Sequence, residues 1–229
     1  MVKVTRPTCV YDLLANRPDG EGSVGMASDR RIGGPESKNR GVLLDAAEQL
    51  MLEDGYAAVT SRRVAERAAL KPQLVHYYFR TMDEMFIEVF RRRAKQGLEA
   101  LAEALQSDQP LWALWEFGTD PQTTQLTMEF MGLANHRKAL RTEIAFYAER
   151  FREQQVEAMT AALKRYGYDV GDVPPVVWAL FATSVSQVLV LEQALGMSNG
   201  HAEMLAFCEE WLRRFEGDRR PAESATASA

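Results

Sequence analysis

Residues 60–84 read TSRRVAERAALKPQLVHYYFRTMDE, and this stretch decides the fold. The hydroxyl of Thr60 suits an N-cap, because it can accept a hydrogen bond from an amide that the first helical turn leaves unpaired. Val64, Ala65 and Ala68 follow at helical spacing and make a small-residue apolar face that a second helix can cross closely. Ala69, Leu70 and Lys71 form the turn. Pro72 then suits the first position of a new helix, where its missing N–H costs nothing. That second helix, residues 72–78, carries Gln73, His76, Tyr77 and Tyr78, with Leu74 and Val75 as its aliphatic positions. Amide, imidazole and phenol groups build a core poorly and touch a groove well. The pattern reads as a helix-turn-helix whose second helix enters the major groove of DNA.

Working outward, Gly55 and Tyr56 close a preceding helix, and Asp83, Glu84, Met85 and Phe86 begin a fourth. Combined with Thr60, Val64-Ala65, Ala68 and Tyr77-Tyr78-Phe79, these signals make residues 38–95 resemble the N-terminal domain of the tetracycline-repressor (TetR) family of transcriptional regulators. The sequence departs from the family pattern in four places. Ala69 stands at the turn glycine and Gln73 at a small residue early in the recognition helix. His76 replaces the tyrosine common two residues before Tyr78, and Met82 replaces the lysine common just before the fourth helix. Arg80 or Lys71 is the substitute for that lysine's phosphate contact.

At 229 residues the chain can bury a proper core without staples. Its 46% hydrophobic and 26% charged content is ordinary for a globular protein and excludes a disordered or fibrous class. Two cysteines, Cys9 and Cys208, exclude a disulfide framework and fit a reducing cytoplasm, and their separation matches no metal site. The N-terminus has no apolar run of signal-peptide length and no segment is expected to approach the length of a membrane span, so a cytoplasmic protein is expected. The net charge of −5 is unevenly spread. Residues 37–95 hold 11 basic and 8 acidic side chains, residues 96–229 hold 11 and 19, and residues 1–36 hold 5 and 5. A mildly basic head on an acidic body suits one face presented to phosphate.

The predicted fold is all-α: a three-helix helix-turn-helix domain over residues 37–84, a connecting helix over 82–106, and a helical ligand-binding and dimerisation domain over 85–216. Residues 1–36, with scattered Pro and Gly, are expected to be a disordered arm, with Arg30 and Arg31 as basic groups near its end. Residues 217–229 are expected to be a disordered tail. Helices are predicted over 38–54, 138–166, 175–195 and 200–215, and Arg91, Arg92 and Arg93 are placed on a solvated face. The 175–195 helix is apolar almost all round, so it must be buried on both sides or face a partner chain. Pairing of the last two helices with their copies gives a homodimer, which is also the usual way to read two half-sites.

Sequence preference comes from base-edge contacts and most affinity from phosphate. Arg62 is the first candidate base reader, since its fork matches guanine O6 and N7, and Gln73 can pair with adenine in the same bidentate way. Pro72 offers apolar contact to a thymine methyl. Thr60, Ser61, Lys71, His76, Tyr77, Tyr78 and Arg80 are candidate backbone contacts, with packing under the first helix the alternative for one of the two tyrosines. In the body, Trp112, Trp115, Met128, Met131, Phe146, Tyr147 and Trp178 are candidate walls of a pocket for a hydrophobic small molecule, with His136 as a polar contact. Each has the alternative of being plain core.

The resemblance implies a dimeric repressor released from a palindromic DNA operator by an effector bound in the body. An activator or a ligand-independent regulator is the alternative within the fold. A helical lipid-binding protein or enzyme is the alternative outside it. With three histidines, no Ser-His-Asp layout, no Gly-rich phosphate loop and no metal-spaced His/Glu cluster, the sequence offers no catalytic residues, cofactor or metal ligands.

Overall fold

The computed structural model describes residues 37–167 and 173–220, so the expectations for residues 1–36 and 221–229 lie outside the described residues. The described residues form nine α-helices and no strand. They are α1 (Lys38–Asp54), α2 (Ser61–Arg67), α3 (Pro72–Tyr78), α4 (Met82–Ala104), α5 (Pro110–Gly118), α6 (Pro121–Ala134), α7 (Lys138–Arg165), α8 (Pro175–Ala194) and α9 (His201–Glu216). A short 3-10 turn, Tyr56–Ala58, links α1 to α2.

Helix ends follow the caps that the sequence offers. Thr60 Oγ1 accepts from Arg63 N, Thr81 Oγ1 from Glu84 N, and a carboxylate oxygen of Asp120 from Thr123 N at 2.8 Å. Helix α5 has no side-chain cap of its own. Its first free amides, those of Leu111 and Trp112, donate instead to the carboxylate of Glu216 at the far end of α9, at 2.9 and 3.0 Å. Tyr166 OH donates to the same carboxylate. Burial and then this contact push the Tyr166 phenol up to about 12. Residues 217–220, which fall in the expected disordered tail, are instead tied down: the carbonyls of Gly217 and Asp218 and the amide of Arg220 are all hydrogen-bonded to α5 or to Gln109 before it.

Two apolar cores organise the helices. One joins Leu43, Leu50, Val64, Val75, Phe79 and Phe86 of the first four helices to Leu126, Phe130 and Leu133 of α6 and Leu140 of α7. The other gathers Leu101, Leu111, Leu114, Met159, Leu163 and Leu212 from α4, α5, α7 and α9. The boundary near residue 84 thus runs through a shared core and not along a cleft. Polar ties reinforce it: Tyr56 N donates to Glu129 Oε2 at 2.6 Å, and Gln125 Nε2 to the Leu52 carbonyl at 2.8 Å.

Two expectations are corrected. Arg91, Arg92 and Arg93 do not form a freely solvated face but are half-buried in ion pairs. Arg91 grips Glu143 of α7 through both nitrogens at 2.8 and 2.6 Å. Arg92 reaches Asp45 and Glu48 of α1 at 2.7 and 3.0 Å, and Arg93 also reaches Glu48 at 3.5 Å. Helix α8 has the length and composition that could cross a membrane, although no segment was expected to approach that length, and only 22% of its most apolar window is buried. Ala179, Ser186, Leu189 and Val190 face the protein, while Val177, Leu180, Phe181 and Val188 face outward.

Candidate nucleic-acid interface and ligand cavity

Helices α2 and α3 cross where the sequence placed small residues. Val64, Ala65 and Val75 are fully buried and Phe79 closes the corner, so α3 is held by one side only. Ala69 in the turn has φ +52°, the left-handed conformation that a glycine adopts without strain. Lys71 is extended and Pro72 begins α3. With Val75 pinned inward, the helix presents Pro72, Gln73, His76 and Tyr77 to solvent, and Tyr77 is 45% exposed.

The charges around this face divide into two groups. Arg63 pairs with Asp54 at 2.5 Å and Arg67 with Glu53, so neither is free. The Arg67 hydrogen bond holds the Glu53 carboxyl below its ordinary range. Arg62, Lys71 and Arg80 are exposed, and among the described residues their side chains have no hydrogen-bond or ion-pair partner. Three uncommitted cations flanking an exposed glutamine match what phosphate and base edges require.

Of the remaining expected contacts, Ser61 is half-buried at the start of α2, and the Thr60 hydroxyl is engaged in capping. Tyr78 takes the packing role. It is half-buried against the core, its OH shares a 2.9 Å hydrogen bond with Ser37 Oγ, and the Tyr77 ring meets it edge-on at 5.0 Å.

A cavity of about 300 Å³ lies in the body between α5, α7, α8 and α9. Trp115 and Trp178 line it, the latter stacked on Trp211 at 5.2 Å. The other expected pocket residues lie outside it. Trp112 is buried beside it, its indole N–H donating to the Gly217 carbonyl at 3.1 Å. Tyr147 is buried edge-on to Phe90. Met128, Met131, His136 and Phe146 are exposed, with the Arg150 guanidinium over the Phe146 ring. The walls that sequence reasoning missed are Leu111, Leu114, Met159, Phe181, Phe207 and Trp211. The 178/181 and 207/211 spacings on two facing helices were the available signal. The lining is almost wholly carbon. Cys208 is part of it, and burial pushes its thiol up, away from the reactive thiolate. The indole N–H of Trp178 is buried without a partner among the described residues. No group of three metal-ligating side chains comes together among the described residues.

The sequence profile described as bacterial regulatory proteins, tetR family, matches residues 43–89, the segment that carries α2 and α3. The HTH-type transcriptional regulator BetI of Rhizobium meliloti is 26% identical over 137 residues, covering 56% of this chain and 68% of its own. A protein described as a transcriptional regulator from Saccharomonospora viridis, solved in complex with choline, aligns over 80% of this chain and 100% of its own, with a TM-score of 0.66 and 16% identity. FadR of Bacillus subtilis, solved in complex with stearoyl-CoA, aligns over 78% and 99% with a TM-score of 0.59 and 14% identity. At such identities the two structures speak for the fold alone. Taken with the geometry of α2 and α3, the profile match makes residues 43–89 similar to the tetR family of bacterial regulatory proteins, and the aligned structures give the whole described body the same all-helical fold.

Proposed function

We propose that the protein is a cytoplasmic, homodimeric repressor that leaves a palindromic operator when a lipophilic small molecule enters its body. The observation that carries the DNA half of this reading is the set of free cations, Arg62, Lys71 and Arg80, beside Gln73, in a head whose other arginines are paired. Residues 37–84 form the reading head and residues 85–216 the ligand-binding and dimerisation body. Helices α8 and α9 pair with their copies and set the spacing of the two α3 helices, which must reach successive major grooves ~34 Å apart or multiples of that distance.

The effector half rests on the carbon-lined cavity, whose chemistry suits an apolar guest. Similar folds are described with choline and with stearoyl-CoA, the second carrying a long acyl chain. Coupling is a population shift: the ligand favours a dimer whose heads are spaced wrongly for DNA, and by reciprocity DNA weakens ligand binding.

The test is a gel-shift on palindromic fragments from the neighbourhood of the coding region. A sequence-specific band is expected, and Arg62→Ala and Gln73→Ala should erase the preference between operator and scrambled DNA while the dimer persists. Variants that keep the parent's preference would remove these residues as base readers.

A further inference from the structure

Six arginines are half-buried among the described residues, and five of them meet a carboxylate. Arg40 pairs with Glu88 at 2.7 Å, Arg91 with Glu143 at 2.6 Å, Arg92 with Asp45 at 2.7 Å, Arg93 with Glu48 at 3.5 Å and Arg137 with Asp83 at 2.6 Å. Arg152 of α7 is the exception. Its side-chain partner among the described residues is the Thr183 hydroxyl of α8, to which it donates at 3.2 Å. Thr183 shares its own proton between the Ala179 carbonyl at 2.8 Å and Gln155 Oε1 at 3.3 Å, so toward Arg152 it only accepts. Burial pushes the Arg152 guanidinium below its ordinary range, and Glu149 opposes this from a distance without forming an ion pair. A guanidinium carries five N–H donors in a fixed fork, and one hydroxyl leaves most of them without an acceptor.

The position of this group ties it to the cavity. On α8, Thr183 directly follows Ala182, which is part of the cavity wall. On α7, Arg152 lies two turns before Met159, another wall residue, and on the same helix face, which is about 10 Å along the axis. The wall itself carries no charged side chain. An occupant that fills the cavity and runs on along the α7–α8 seam therefore brings its far end to the free fork. No second cation acts on Arg152 among the described residues, so the seam neutralises a single negative charge. A carboxylate meets both demands, because its two oxygens take the fork in parallel and it carries one charge.

We propose that Arg152 is the acid-recognising group of the effector site, so that the effector is a lipophilic carboxylic acid with its carbon body in the cavity and its carboxylate on the Arg152 guanidinium. The inference rests on the reading of the cavity as the effector site and names the chemical class of the effector.

The experiment titrates the full chain calorimetrically, at neutral pH and below micelle formation, with decanoate and with decan-1-ol. These probes share a carbon chain and differ in the head. The parent should bind decanoate about tenfold more tightly than the alcohol or better, the range that a hydrogen-bonded charge supplies. Arg152→Gln should abolish that preference while leaving the affinity for decan-1-ol within about twofold. Arg152→Lys keeps the charge without the fork and should recover part of the preference. Because the alcohol reads the carbon-lined chamber alone, it separates loss of the acid contact from damage to the body. A parent that binds acid and alcohol alike overturns the assignment and leaves the cavity standing. So does an Arg152→Gln variant that loses both probes in proportion, which makes Arg152 a structural residue. An Arg152→Gln variant that keeps the preference but sediments as a monomer where the parent is a dimer gives the guanidinium to a carboxylate of a second copy, and overturns it too. A parent that binds neither probe removes the cavity as an apolar site, and this inference with it.

Discussion

Helices α3 and α8 are both more exposed than their own folding requires, in opposite chemistries. Helix α3 is short, pinned through Val75, and surrounded by cations with no partner among the described residues. Helix α8 is 20 residues long, uncharged for most of its length, and leaves Val176, Val177, Leu180 and Val188 exposed to water. The instructive control is the Arg91–Arg93 run, which is as basic as the head but fully committed to Glu143, Asp45 and Glu48. A charge run names a phosphate partner only when its charges are free. An apolar helix names a partner surface only when the single chain leaves it uncovered.

The strongest way to break the comparison is to remove what holds α3 while sparing α8. Phe79 is 1% exposed in the core shared by head and body. Phe79→Ala should cost about 3–5 kcal/mol by truncation and the cavity left behind. Thermal denaturation should show the loss, operator binding should vanish, and sedimentation should still show a dimer. Loss of the dimer in the same variant would mean that the two surfaces are not independent.

The reverse disruption is next in size. Leu180→Glu should leave the head folded and separate the protomers, and because each head then binds alone, operator affinity should fall roughly 100-fold. Titration of labelled operator measures this, and a monomer that binds as tightly as the parent would detach α8 from DNA recognition. Smaller effects separate the residues around α3 from one another. Arg62→Ala and Gln73→Ala should each cost about 1–3 kcal/mol of discrimination between operator and mismatched sites. Lys71→Ala and Arg80→Ala should weaken all sequences alike and reduce the salt dependence of binding by about one unit each.

The turn between the two helices gives a stabilising change. Ala69 sits at φ +52°, where an L side chain crowds the following carbonyl. Ala69→Gly should relieve about 1 kcal/mol, read as a raised urea midpoint with an unchanged slope. An unchanged midpoint would mean that the extra chain entropy of glycine offsets the relief.

What was legible in the sequence follows from how local each cause is. Thr60, Pro72 and Thr81 act within a turn of their own helices, so α2, α3 and α4 began where the sequence placed them. The outward side chains of α3 followed from the Val64-Ala65 face. The partners of Arg91 and Arg92 lie 44 to 52 residues away on α1 and α7, and no local pattern reveals them. Aromatic content named Trp115 and Trp178 but not the walls supplied by α9, because composition does not say which faces meet. The uniform apolarity of α8 was readable, whereas which side the protein covers is decided only by packing.

The finest test concerns the ties that join the two regions. Burial alone would raise the Glu88 carboxyl, but its hydrogen bonds to Arg40 and Arg91 bring it below the ordinary value of 4.5. The hydrogen bond from Arg91 lowers Glu143 likewise. Carboxyls whose folded pKa lies below the unfolded one contribute stability above about pH 4.5, and that contribution is lost as pH falls through the depressed value. Arg91 is 42% exposed, so solvent screening limits each pair to about 0.5–1 kcal/mol. Glu143→Gln should therefore lower the melting temperature slightly at pH 7, and the difference from the parent should close as pH falls toward 3. If these pairs hold α1, α4 and α7 in register, the variant should also respond less in operator release per mole of bound ligand, at unchanged ligand affinity. A difference between parent and variant that persists at pH 3 would place the effect of Glu143 in packing and not in its charge.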